Sequence, residues 1–203
     1  MRENKTGQKM KHASSRQVFE YWNEQRGQDT APERDDIDPS PIRRALGDTF
    51  ILGQDAQGIH RFRLAGTRAC ALFCRELKGT DFLTLWAEAE RPGVLELVTA
   101  AAQESVGFVA GVSGYDAAGS EAALELLLLP LRPFSQHRGR LLGVLAPLEP
   151  PYWLGVAPFE TLTCRTVRYL HPDSGLAPAP RHFPNRGHAS ARMGFTVHRG
   201  GRF

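Results

Sequence analysis

The feature that most constrains this chain is a double change of period. Apolar residues fall in strand-like runs at 49–54 and 59–65 around a turn at 55–58, switch after Gly66 to a spacing of about 3.6, and return to strand-like runs beyond Gly107. A period of two belongs to strands and one of 3.6 to helices. A hairpin, a helical stretch and a second group of strands therefore follow in that order. Elements segregated in this way predict an α+β domain rather than alternating βαβ units.

Local signals place the elements. Ala69, Leu72, Phe73 and Leu77 form one face of a helix over 68–78, with Thr67 as a cap and Gly79 as a stop. Asp81 caps a single turn carrying Phe82, Leu85 and Trp86, and Pro92 opens a longer helix with Val94, Leu95, Val98, Ala101 and Ala102 inward. Residues 108–115, 122–131 and 141–148 read as three antiparallel strands. Leucine is a good helix former, so 124–131 alone also suits a helix. Pro130, the flanking turns and the short length favour a strand. Upstream, Val18, Phe19 and Trp22 mark an amphipathic helix over 15–26 stopped by Gly27, and Asp38-Pro39 opens a shorter helix over 39–46.

The expected architecture is a five-stranded antiparallel sheet with helices on one face. Its divisions are a disordered N-terminus (1–14), flanking helices (15–48), a core (49–150), a C-terminal extension (151–170) and a disordered basic tail (171–203). With 203 residues there is room for one sizeable domain plus tails. The longest apolar run, Leu126 to Leu131, is far short of a membrane span, and the charged first 17 residues lack the apolar core of a secretory signal. Three cysteines, an odd number without disulfide-like spacing, suit a reducing cytoplasm. Residues 1–34 hold 7 basic and 5 acidic side chains, 35–170 hold 13 and 16, and 171–203 hold 5 and 1. A mildly acidic middle argues against a nucleic-acid platform in the folded part. In the tail, His182, His188 and His198 with Arg181, Arg186, Arg192, Arg199 and Arg202 suit acidic surfaces, nucleic acid or metal, or equally a flexible basic tail with no function of its own. Phe183, Phe195 and Phe203 interleave with that charge and keep nucleic acid open.

Five segments resemble the PAS domain family, and more narrowly the stand-alone PAS proteins of alphaproteobacteria. They are Tyr21-Trp22-Asn23, the stretch from Pro32 to Pro39, Arg61 to Arg68, Leu72 to Gly79, and Pro150 to Gly155, spanning about 16–170. The resemblance implies a bacterial sensory or regulatory protein with a PAS fold. PAS domains bind haem, flavin, small acids or nothing, so the family leaves the ligand open.

The residues themselves narrow the cofactor. A photoreactive flavin domain carries its cysteine in an Asn-Cys-Arg-Phe type helix, whereas this chain echoes only Cys74-Arg75, so that chemistry is disfavoured. Haem is disfavoured because the long helix offers no axial His. Cys70 and Cys74 lie one helical turn apart but fall short of a four-ligand zinc site, and read as small buried thiols; no metal site is expected. Asp35, Asp36 and Asp38 lie on a polar loop without a partner base, and no catalytic residue is assigned.

Alternation in the strand 122–131 places Leu124, Leu126 and Leu128 on one face and Glu125, Leu127 and Leu129 on the other. The charge marks the face away from the helices. The expected ligand-binding residues are therefore Leu124, Leu126 and Leu128 with Phe62 and Leu64, closed by Cys70, Phe73 and Trp86. The alternative is a filled core, in which case the fold serves as an interaction scaffold. Leu127 and Leu129, with either Val144 and Ala146 or Leu141 and Leu145, leave an apolar strip on the other face. Phe19 and Trp22 are expected to cover it, within the chain or across a homodimer. No attached output domain is expected within these 203 residues, so a signal is expected to leave by non-covalent contact with a partner protein or a second copy.

Overall fold

The computed structural model describes residues 10–132 and 139–170 and the strand Thr196–Val197. Helix α1 (Ala13–Arg26) leads into turns and then the hairpin β1 (Thr49–Gln54) and β2 (His60–Ala65). Helix α2 (Thr67–Ala71), a 3-10 turn Phe82–Leu85 and helix α3 (Arg91–Gln103) follow. The chain continues through β3 (Gly107–Tyr115), β4 (Glu121–Leu131), β5 (Arg140–Pro147) and β6 (Thr161–Leu170), with β7 at Thr196–Val197. All enter one sheet in the order β2-β1-β5-β4-β3-β6-β7, antiparallel except for β6 with β7.

The sheet is thus wider than the five strands expected. The extension expected at 151–170 supplies β6, whose Thr-, Val- and Tyr-bearing sequence pairs along the whole of β3. The expectation of a disordered tail lies outside the described residues, apart from the two that form β7. Residues 10–14, assigned to a disordered N-terminus, are held in place: Met10 is buried, and the Glu125 carboxylate accepts the Lys11 and His12 amides at 2.7 and 2.9 Å.

Three helices differ from expectation. The stretch 39–46 forms successive i to i+3 turns instead of a helix, because Asp38 spends its carboxylate on Ser40 two residues on. Helix α2 stops at Ala71, and Cys74 adopts a left-handed φ of 49° that turns the chain away. In α3 the inward residues are Val94, Leu97, Val98 and Ala101, whereas Leu95 is exposed.

Two apolar layers sandwich the sheet. The inner layer joins Phe50, Leu52, Phe62, Leu124, Leu126, Leu128, Leu141 and Leu145 to α2, the 3-10 turn and α3. The outer layer joins Leu127, Leu129, Leu131, Leu142, Val144 and Ala146 to Val18, Phe19, Tyr21 and Trp22 of α1. Because β4 is buried on both faces, its sequence reads as a continuous apolar run instead of alternating. Pro130 sits where β4 has outrun β3, so its missing N–H costs no ladder bond, and its carbonyl accepts the Trp22 indole at 2.8 Å.

Candidate functional site

The inner layer gathers most of the residues expected to line a ligand site. Phe62, Phe73, Trp86, Leu124, Leu126 and Leu128 are all buried in it, and Cys70 packs half-buried at its margin. Its centre is a set of aromatic rings. Phe50 and Phe62 meet edge to face at 5.3 Å and Phe82 and Trp86 at 5.8 Å, while Phe62 and Phe82 are tilted against each other at 5.7 Å. The far end of the Phe50 ring covers Gly143 of β5, where any Cβ would collide with it. A second group, Trp153, Phe159 and Phe73, closes the end of the layer beside α2.

Leu64 does not belong to this set. Phe62 pairs with Leu52 but Leu64 pairs with Ile51, so Arg63 is an extra residue and the alternation of β2 flips there. Leu64 consequently points to the outer side and is 50% exposed. Cys74 is exposed, so the reading of Cys70 and Cys74 as a pair of buried thiols fails. Burial, reinforced by Glu76, pushes the Cys70 thiol up, and burial with the nearby Glu90 carboxylate pushes Cys164 up to about 12. Both are protonated at neutral pH, which makes them poor nucleophiles.

The polar content of the inner layer is small and unusual. The Trp86 indole Nε1 is buried and has no hydrogen-bond partner among the described residues. His60 shares the face of Phe62, is 2% exposed, and has neither ring nitrogen paired. Burial holds His60 below its usual range despite Asp81 and Asp55, so the ring is neutral at pH 7. An unpaired buried donor costs about 1–3 kcal/mol. The Trp86 indole therefore offers a hydrogen bond to any acceptor that reaches the aromatic layer.

The outer layer holds the residues expected at an interface. Phe19 and Trp22 stack at 6.2 Å and are buried against Leu127 and Leu129 of their own chain. Of the two alternatives for β5, Val144 and Ala146 face this side, whereas Leu141 and Leu145 face inward. Two of the five resemblance segments meet in this layer: the Tyr21 hydroxyl accepts the Asp38 amide at 2.8 Å and donates to the Asp36 carbonyl at 3.3 Å, wrapping the 32–39 loop over α1.

One node joins the two layers. Asp48, buried just before β1, accepts the Ser14 hydroxyl of α1 at 2.6 Å and the Arg68 guanidinium of α2 at 2.7 and 2.8 Å. Burial alone would raise the Asp48 carboxyl. The hydrogen bonds from Arg68 and Ser14, with the Arg68 charge, outweigh it and hold the group below its ordinary 3.8. Gly66 makes the approach close enough, since a Cβ there would collide with the Leu46 carbonyl. Neither Asp48 nor Glu125 carries a local signature of this role, because their partners are 20 to 114 residues away.

Among the described residues no three His, Cys, Asp or Glu side chains gather as a metal site, and no helix is long and apolar enough to cross a membrane.

No curated protein matches the chain. Similar solved structures include a light-oxygen-voltage domain studied with a flavin analogue, at 16% identity and a TM-score of 0.43, covering 54% of this chain and 83% of that one. A PAS domain of a protein from Colwellia psychrerythraea has 14% identity and a TM-score of 0.39, covering 54% and 97%. An RNA-binding light-oxygen-voltage receptor has 17% identity and a TM-score of 0.42, covering 54% and 33%. None of these assigns a cofactor to this chain, and the expectation against a photoreactive flavin gains no support from the comparisons. A family model for the PAS domain matches residues 10–146, and with its α+β architecture and sensory type of fold the chain belongs to the PAS domain family.

Proposed function

We propose that this chain is a cytoplasmic sensory PAS protein. It receives a small molecule against the inner face of its sheet and reports occupancy through the sheet to the α1 layer, and thence to a signalling protein or a second copy. The observation that carries this reading is the partnerless Trp86 indole N–H in a mainly apolar, aromatic layer, where His60 is the other buried side chain with unpaired polar atoms. It selects a largely apolar ligand that presents one acceptor atom to Nε1.

The same donor set argues against the two familiar cofactors. A flavin carries a rim of heteroatoms, and the unpaired polar atoms facing this layer are the Trp86 indole N–H and the two ring nitrogens of His60, too few to meet that rim. Haem needs an axial ligand, and none of the thirteen residues of α3 is His, Cys, Met or Tyr; the buried imidazole on this face, His60, lies at the start of β2 instead. Signal transfer is supported by the Asp48 node, which ties α1 to α2 across the sheet edge. Neither Cys70 nor Cys164 is prepared for covalent capture, so the reading is one of reversible binding without catalysis.

A second reading has its own observation. The seat of the Phe50 ring on Gly143 is filled, which favours a ligand-free interaction scaffold. Native mass spectrometry of freshly purified full chain separates the two. The sensory reading predicts a species heavier than the chain by one small molecule, depleted about tenfold in Trp86→Phe at equal melting temperature. A bare chain mass in both proteins would establish the scaffold instead.

A further inference from the structure

The charge that the sequence spreads along the chain is collected by the fold. Residues 39–80 hold seven Arg or Lys and three Asp or Glu, whereas 81–170 hold six and ten. The first group comprises the 39–48 turns, the β1–β2 hairpin and α2, which lie together at one edge of the sheet. Two of its three acids are already matched, Asp48 by Arg68 at 2.7 Å and Asp55 by Arg61 at 2.7 Å. Arg43, Arg44 and Arg63 are exposed and form no ion pair among the described residues.

An apolar centre accompanies this charge. Helix α1 packs on β4 and β5, and the outer side of the β1–β2 hairpin extends beyond it. There Leu64 is 50% exposed beside its cross-strand partner Ile51, itself half-buried at the margin of the outer layer. Arg63 lies flat over Gly53 of β1, where a Cβ would stand 2.8 Å from its Nε. The 39–45 turns reach the same layer through Ile42 and Ala45, with Arg43 and Arg44 between them. The Arg44 carbonyl accepts Arg68 Nη2 at 2.7 Å, bringing Arg68 alongside. The bulge at Arg63 is what turns Leu64 outward into this cationic frame.

We propose that the outer face of the β1–β2 hairpin is the surface through which this protein holds an acidic partner protein, with Leu64 and Ile51 receiving an apolar side chain and Arg43, Arg44 and Arg63 pairing with flanking carboxylates. The proposal rests on the reading of the chain as a regulator acting through protein contact, and it names the place and the chemistry of that contact. Charge complementarity selects an anion. Nucleic acid fits less well, because Phe50, Phe62 and Phe73, the aromatic residues of 39–80, are all buried and leave no ring on which a base can stack. The Asp48 node adjoins the same surface through Arg68, so contact here bears on both α1 and α2.

The test uses the full chain and a fluorescein-labelled amphipathic peptide with Leu at every fourth position on a Glu-rich background, read by anisotropy. Binding is expected, weakening with salt and falling at least about tenfold both in the triple variant R43E/R44E/R63E and in Leu64→Ser. Leu64 is exposed, so the serine variant should keep its melting temperature and serve as the folding control. No binding, or unchanged affinity in both variants, overturns the proposal. Tighter binding of an oligouridylate that is lost in the triple variant but kept in Leu64→Ser also overturns it, in favour of nucleic acid. Either failure alongside a ligand-bearing species in native mass spectra would displace this surface and leave the sensory reading standing.

Discussion

Trp86, Asp48 and Leu64 show how differently single residues expose their roles. Trp86 was legible as an inner-face residue because the Asp81 cap fixes the phase of its turn, and the Leu83 amide does bond the Asp81 carboxylate at 2.9 Å. Leu64 was not, since a bulge changes the phase of a strand without any change of composition. Asp48 was not, because its hydroxyl and guanidinium partners come from α1 and α2, elements that meet only in three dimensions. Its effect is testable. Replacing Asp48 by Ala leaves Ser14 without its acceptor and Arg68, 56% exposed, free to turn to water, so the cost should be about 2 kcal/mol, a drop of roughly 4–8 °C in melting temperature. Because its folded value is depressed, the carboxylate contributes fully above its ordinary 3.8, and that contribution is lost as pH falls through the lower folded value. Melting curves of wild type and Asp48→Ala should therefore stand apart at pH 7 and converge in strong acid. An equal gap at both would show that the charge is not what stabilises the node.

At the level of elements, β4 and α1 were read from a shared logic. A strand with leucines on both faces needs two covers, and α1 with its Phe19 and Trp22 supplies the second. The strand β6 escaped because Thr161–Leu170 has no tight hairpin signal before it: the preceding loop is long and carries its own aromatic contacts through Trp153 and Phe159. The 39–46 turns were misread because proline and a capping aspartate signal a start that the following residues do not continue. Trp22 joins the element to the sheet by packing and by its bond to the Pro130 carbonyl. Trp22→Ala should cost about 3–5 kcal/mol and uncover Leu127, Leu129 and Val144, giving association visible by light scattering. Unchanged stability and unchanged size would mean that α1 covers the sheet without holding it.

For the whole molecule, two layers on one sheet supply the parts that the proposed sensor needs: an aromatic inner face, a covered outer face, and one buried carboxylate linking the elements that lie on each. The basic edge at the hairpin and the acidic remainder add polarity to that plan. Its central claim is that a ligand acceptor meets the Trp86 indole, and the chain contains its own controls. Its three tryptophans are Trp22, bonded to Pro130, Trp86 without a partner, and Trp153 in the loop before β6. The indole N–H region of a ¹H–¹⁵N spectrum, assigned with Trp86→Phe, should be recorded on the protein as purified and again after unfolding, desalting and refolding. The account predicts that the Trp86 signal moves on removal of the small molecule while Trp22 stays in place. Three indole signals unmoved between the two samples would contradict it.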